Sequence, residues 1–445
     1  MIGDIIINIS DTICGYPLFA WLIGGGLFLF IYSRGVPIRK FGTAIRSLRT
    51  RKEGAGEISS FQALMSAVAA TVGMGNIAGV AIAIVVGGPG AIFWMWVSAM
   101  CGMATKFFEG TLTIMYKGKN SQGETKGGPM YVITEGLGRR FRPLAVFFAC
   151  AGLIGCLCIM QANQLTEALV TVFFPSQVGD ASFWLRLSFG IVLTGIVSLV
   201  VFGGLHRISK VASRMVPAMV AVYFLLVLTV IILNFGELPR VFGAIFSGAF
   251  SLQAGLGGFA GVAITGARRA MLVNEAGIGT AMMMHGASRN AEPVREGYVA
   301  MLGPAIDSGL VCTLTAIPII MADCYDVEGV MGLSVALGSF DSLIPVLGKY
   351  LLMALVVVFA FSTMFSYSYY GRTCAEFLFG KERARYYDVF YLLMLLVASV
   401  ITLDVAVSIM DMAFALMSVP TMFAVFRLSP KVVKAMREYE RGSSI

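Results

Sequence analysis

The chain has 445 residues, of which 58% are hydrophobic and only 13% charged, with a mean hydropathy of +0.83. A soluble domain carries roughly 25% charged residues, so the composition excludes a soluble globular protein and implies a polytopic helical membrane protein. The formal net charge of +8 would point to a nucleic-acid partner only if the basic residues formed one patch, and they do not.

Apolar runs of about 17 residues or more predict eleven spans, near 14–33, 61–86, 91–116, 144–173, 183–203, 211–234, 241–267, 295–321, 347–378, 387–403 and 405–427. The N-terminus has neither the basic start nor the small-residue cleavage site of a signal peptide, so the first helix is expected to remain. Basic residues fill every second loop: Arg34, Arg39, Lys40 and Arg46 after the first span, Lys117, Lys126 and Arg139 after the third, Arg207 and Lys210 after the fifth. The alternation continues with Arg268, Arg289 and Arg295, then Arg372, Lys381 and Arg385, then Arg427 and Lys431. The other loops are acidic or neutral, with Asp180, Glu237, Asp323 and Asp404. Positive loops stay cytoplasmic, which predicts an outer N-terminus, a cytoplasmic C-terminus and a plasma-membrane location. The positive charge is then topology, and no nucleic acid or obligate protein partner is expected besides the lipid bilayer. No loop is long enough for a soluble catalytic domain, and no GxxxxGK[ST] loop is present to hold nucleotide phosphates. The eight cysteines form no CxxC pair and the histidines are only His206 and His285, so neither a disulfide framework nor a His-built metal site is expected.

The second span contains Ala69-Ala70-Thr71-Val72-Gly73-Met74-Gly75-Asn76. Two glycines and an asparagine weaken a helix in the one solvent where an unpaired backbone group is most costly. Backbone unwinds at membrane depth where it lines a cavity and its freed groups can hold an ion or solute. The alternative is that the glycines let a neighbouring helix pack closely. A second weak point, Gln253 to Gly261, lies in the seventh span, five helices later. Setting the first helix aside leaves two groups of five, each led by a glycine-broken helix and inserted with opposite polarity. That is the inverted-repeat plan of secondary transporters. The expected organisation is residues 1–60 as an N-terminal helix and basic surface segment, 61–234 and 235–427 as two five-helix repeats, and 428–445 as a cytoplasmic tail.

Polar residues at depth are few. Gln161, Asn163 and Gln164 lie in the fourth span, where they either bond another helix or face a solute; Glu167 nearer the outer end could snorkel or serve a gate. Ser362 and Thr363 are adjacent hydroxyls in the ninth span, suited to a dehydrated Na⁺ but also able to bond back to the i−4 carbonyl. Asp307 in the eighth span is a candidate proton or ion site. Lys106 and Glu109 read as an ion pair at the inner end of the third span. Asn274-Glu275-Ala276-Gly277 reads as a re-entrant turn able to shut the cytoplasmic path.

Four runs then resemble those of the alanine or glycine:cation symporter family: Gly87-Gly88-Pro89-Gly90 continuing to Lys106, Lys126-Gly127-Gly128-Pro129-Met130-Tyr131, Gly257-Gly258-Phe259-Ala260-Gly261, and Asn274-Glu275-Ala276-Gly277. The resemblance covers almost the whole chain in the right order. It implies an all-α fold of about eleven transmembrane helices, a leucine-transporter-like five-plus-five inverted repeat plus one N-terminal helix, and uptake of alanine or glycine with Na⁺, without enzymatic chemistry. It implies a Na⁺ site from the carbonyls of Ala69, Val72 and Phe359 and the hydroxyls of Ser362 and Thr363. Thr71, Gly73 and Gly75 would face the substrate carboxylate, with Gln161, Asn163, Gln253, Gly257, Gly258, Phe259 and Phe361 around the rest of the substrate. Asn76, Glu167 and Glu275 would serve a second ion or a gate. The same scaffold driven by protons through Asp307 or Glu167 is the alternative.

Overall fold

A computed structural model describes residues 16–48, 54, 56–120, 122–174, 176, 182–250, 255–325, 332–401 and 403–442. A short apolar helix, α1 (Pro17–Tyr32), leads through a basic surface segment to a broken span formed by α2 (Ser60–Thr71) and α3 (Gly75–Gly87). Then come α4 (Ala91–Met115), α5 (Arg142–Gly155), α6 (Ile159–Phe173), α7 (Phe183–Val201) and α8 (Gly204–Leu233). The second half holds α9 (Leu238–Ala249), α10 (Gly255–Asn274), α11 (Thr280–Gly286), α12 (Pro293–Ala322) and α13 (Leu333–Leu343). It ends with α14 (Gly348–Phe379), α15 (Lys381–Ala398) and α16 (Leu403–Gly442).

Seven of the described helices are long and apolar enough to cross a membrane, or eight with α2 and α3 taken as one span. The expected count was eleven. α1 is too short by itself, and α15 opens on Lys381, Glu382, Arg383 and Arg385, which lowers its apolar character. The expected seventh span, 241–267, is two helices: α9 ends at Ala249 and α10 begins at Gly255. The fourth span is also divided. Cys158 takes a left-handed backbone (φ 52°) between α5, which ends on Gly155, and α6.

The start of α2 is fixed by local chemistry. The Ser59 hydroxyl accepts from the Gln62 N–H (3.2 Å), and the Ser59 N–H donates to the Gln62 side chain (3.0 Å), a reciprocal cap. Just before it, Ile58 pairs in parallel with Ser288: the Glu57 N–H donates to the Ala287 carbonyl (2.8 Å) and the Arg289 N–H to the Ile58 carbonyl (2.7 Å). Beneath this strap the buried Glu296 carboxylate accepts from Ser60 (2.7 Å), Ser288 (3.0 Å) and Asn290 (3.0 Å) and meets His285 Nδ1 at 2.7 Å. The basic-side end of α2 is thereby stapled to the turn after α11. At the centre, α4 packs against α10 and α12, while α14 packs against α2 and α8. Close approach needs small residues there: a Cβ on Gly297 would strike Thr111 and the Phe107 carbonyl.

Candidate functional site

The axes of α2 and α3 meet at 55°, and Asn76 explains how the break is held. Its side-chain oxygen accepts the Gly73 N–H at 2.9 Å. In a continuous helix that N–H would close onto the carbonyl of Ala69, four residues back. The backbone N–H of Asn76 likewise turns to the Gly73 carbonyl (3.2 Å) rather than to Val72. Two carbonyls, Ala69 and Val72, are released from the helical ladder. The Asn76 amide in turn donates to the Asp307 carbonyl (3.4 Å), on a π-helical turn of α12 (Ala305–Val311), and π turns of this kind recur at functional sites.

The freed carbonyls meet α14. Ser362 Oγ lies 3.2 Å from the Ala69 carbonyl, 3.4 Å from Val72 and 2.8 Å from Phe359. Thr363 Oγ1 lies 3.2 Å from both Ala69 and Phe359. Each hydroxyl has a single proton to donate, so these oxygens outnumber the protons available to pair them. All five residues are buried. The nest has neutral oxygens only, without a carboxylate, a donor set for a hard monovalent cation rather than for Ca²⁺ or Mg²⁺. Gly73 permits the approach, since a Cβ there would strike Thr363 Oγ1.

Beside the nest is a cavity of about 60 Å³. Thr71, Gly73, Gly75 and Thr363 line it from the break and from α14, and Gln161 from α6. The Gln161 side-chain oxygen is buried there with no partner among the described residues. Glu275 forms part of the wall, with a left-handed backbone (φ 53°) where α10 ends. Its carboxylate accepts hydrogen bonds from the hydroxyls of Tyr367 and Thr280, and its carbonyl accepts from Lys106 Nζ at 3.0 Å. Lys106 also lies 3.6 Å from Glu109, which accepts the Gly277 N–H at 3.0 Å. The expected interfacial pair is therefore a buried network that fastens the turn after α10 against α4.

Several expected residues lie elsewhere or act otherwise. Asn163 turns away from the cavity, donating to the carbonyls of Ala398 (3.1 Å) and Ile401 (2.6 Å); it clamps α6 to the end of α15. Phe361 stacks on Phe365 with ring centroids 6.0 Å apart and is not part of the cavity wall. Glu167 pairs with Arg186 at 2.8 Å, joining α6 to α7 near the surface and away from the cavity. Asn76 spends its amide on holding the break and on the Asp307 carbonyl. Gln253 lies outside the described residues; Gly257, Gly258 and Phe259 fall in the first turns of α10.

The sequence reading passed over Tyr367 and Asp411, both of which line the cavity. Asp411 had a usable signal, a carboxylate in the apolar eleventh run. Tyr367 had none, because a tyrosine in an aromatic-rich helix is usually packing.

The family model described as the sodium:alanine symporter family matches residues 1–444. The chain is 35% identical to the sodium/alanine symporter AgcS of Methanococcus maripaludis, over 98% of each chain. It is 32% identical to a Bacillus subtilis protein named "Probable sodium/glutamine symporter GlnT", over 97% of this chain and 89% of that one. Among solved structures it resembles MhsT in complex with L-phenylalanine, with a TM-score of 0.57 and 14% identity over 86% of this chain and 98% of that one; this likeness gives the leucine-transporter type of fold. With a broken helix facing an oxygen nest at the centre of that fold, the chain belongs to the sodium:alanine symporter family and is a cation-coupled amino-acid symporter, not an enzyme.

Proposed function

We propose that the protein is a Na⁺-coupled symporter that takes up alanine and glycine by alternating access, with Na⁺ held by Ala69, Val72, Phe359, Ser362 and Thr363. The observation that carries this reading is that Thr363 and Gly73 serve both the nest and the cavity. A cation drawn into the nest fixes the break in the shape that binds substrate, and each ligand then raises the affinity for the other by the same factor.

Size supports a small substrate. At 10–15 Å³ for each water-sized group, the 60 Å³ cavity accommodates roughly four to six such groups, close to the heavy-atom content of glycine and alanine. The family alone does not decide this, since one relative is named for glutamine. The substrate carboxylate faces the N–H groups at the start of α3, where the helix dipole is positive. Its ammonium faces the carbonyls ending α2 and the unpartnered oxygen of Gln161. With the basic segments cytoplasmic, the Glu275 turn and the strap at Ile58 close the inner side. Purified protein in liposomes should concentrate alanine and glycine, but not glutamine, under a Na⁺ gradient, and a pH gradient alone should drive nothing.

One observation favours a second reading. Asp307 is fully buried, with one oxygen taking the Ser308 hydroxyl at 2.5 Å and the other lacking a partner among the described residues. A carboxyl so placed could carry a proton in place of Na⁺. Uptake driven by a pH gradient in Na⁺-free buffer, and lost in Asp307→Asn, would decide for it.

A further inference from the structure

A second and larger hollow, about 410 Å³, lies between α4, the π turn of α12 and the segment that follows α1. Trp96 and Met100 of α4 face Gly309 of the π turn across it, and Pro37, Ile38 and Phe41 form one end. The one polar group in those side chains is already used: Trp96 Nε1 donates to Thr313 Oγ1 at 2.8 Å. Those side chains therefore offer apolar contact only. Its α4 wall runs from Trp96 to Met103, a rise of about 10 Å at ~1.5 Å per residue, enough for a stretch of hydrocarbon chain. Ile38 and Phe41 are 65% and 40% exposed, so this end opens to the surroundings rather than to the protein core.

The same end is basic. Arg34 and Arg39 flank the hollow's Pro37 and Ile38, tied together by a bond from Arg39 Nη1 to the Arg34 carbonyl (3.3 Å). Arg46 follows on the exposed helix Phe41–Ser47. Lys40 is taken by Glu440 at 3.0 Å, whereas no carboxylate among the described residues pairs with Arg34, Arg39 or Arg46. Hydrocarbon-lined space at one end and unpaired guanidinium groups at the other match a molecule with an acyl chain and an anionic head. Basic residues at the edge of a membrane span attract acidic lipid heads, and guanidinium groups bind phosphate oxygens in fork geometry.

We infer that this hollow is a binding site for an anionic phospholipid of the leaflet on the basic side, one acyl chain lying between Trp96 and Gly309 and the phosphate on Arg34 and Arg39. Full-length protein is placed in nanodiscs of phosphatidylcholine alone or with added phosphatidylglycerol; melting temperature is recorded, and lipid retained by the released protein is read by native mass spectrometry. The wild type should melt higher with phosphatidylglycerol and keep it in preference to phosphatidylcholine. Arg34→Gln/Arg39→Gln should lose both the preference and the stabilisation. Gly309→Leu should lose retained lipid of either kind: a Cβ there meets only the Pro304 carbonyl, at 3.8 Å, an ordinary van der Waals contact, and the rest of the side chain would extend from the wall of the hollow. If the wild type melts and retains lipid alike in both compositions, or the arginine pair can be removed without changing the preference, the inference is overturned. Lipid retention unchanged in a folded Gly309→Leu protein would overturn the placement of the chain, and should that variant not fold, the arginine pair decides alone.

Discussion

Asn76→Ala is the sharpest test of how the ion nest is made. In the native structure the Gly73 N–H is satisfied by the Asn76 side chain at 2.9 Å, which leaves the Ala69 carbonyl beside Ser362 and Thr363. Without the amide the break has two ways to respond. The Gly73 N–H can stay where it is, buried and unpaired, at a cost of about 1–3 kcal/mol. Alternatively it can fold back onto Ala69, extending α2 and withdrawing an oxygen from the nest. Both responses disfavour the ion-binding shape relative to the empty one, and 1–3 kcal/mol corresponds to roughly 5- to 150-fold weaker Na⁺ binding. The assay is the Na⁺ concentration giving half-maximal alanine binding to purified protein, with choline replacing Na⁺ to hold ionic strength. Alanine affinity at saturating Na⁺ should recover in large part, because the mutation acts on the cation. An unchanged Na⁺ midpoint in a folded Asn76→Ala protein would refute the argument that this side chain frees the Ala69 carbonyl.

Ser362→Ala/Thr363→Ala should raise the Na⁺ requirement for uptake strongly while leaving the melting temperature in K⁺ near that of the wild type; an unaltered Na⁺ dependence would place the cation elsewhere. Gly75→Leu fills the cavity beside Val273, which a Cβ at this position already meets at 3.5 Å, and should abolish alanine binding without unfolding the protein, as read by calorimetry and size-exclusion chromatography. Gln161→Ala should hardly change stability without ligand but weaken alanine binding, because its oxygen has no partner to lose. Asn163→Ala should do the reverse, lowering stability by about 0.6–2 kcal/mol with affinity intact; melting curves with and without alanine separate the two.

Much of the centre was legible because membrane burial gives backbone defects few explanations. Gly73, Gly75 and Asn76 mark a break that hydrocarbon would not tolerate on a lipid-facing helix, and the hydroxyls of Ser362 and Thr363 stand together directly after the apolar run Leu351–Phe361. Spacing holds the clue to the different placement of Asn163: residues two apart do not share a helix face, and only Gln161 of the two lines the cavity. The left-handed turn at Cys158 was beyond reading, since a cysteine in an apolar run gives no backbone signal. The Glu296 hub was hidden for another reason. Ser60, His285, Ser288 and Asn290 are unremarkable singly, and only the tertiary fold gathers them around one carboxylate. The seventh span reads as one because hydropathy averages over α9 and α10 together.

The nest beside the break draws three of its five oxygens from main-chain carbonyls, at Ala69, Val72 and Phe359. Those atoms are the same whatever side chains occupy the three positions. Mutational drift there can alter packing, yet it cannot delete the groups themselves. The cavity wall, in contrast, is drawn in large part from side chains such as Gln161, Val273, Tyr367 and Phe414, each open to replacement by a single codon change. A lineage built on this plan can exchange one cargo for another while inheriting the same driving ion. Under the proposed Na⁺ assignment, that asymmetry fits relatives named for alanine and for glutamine that both carry a sodium label.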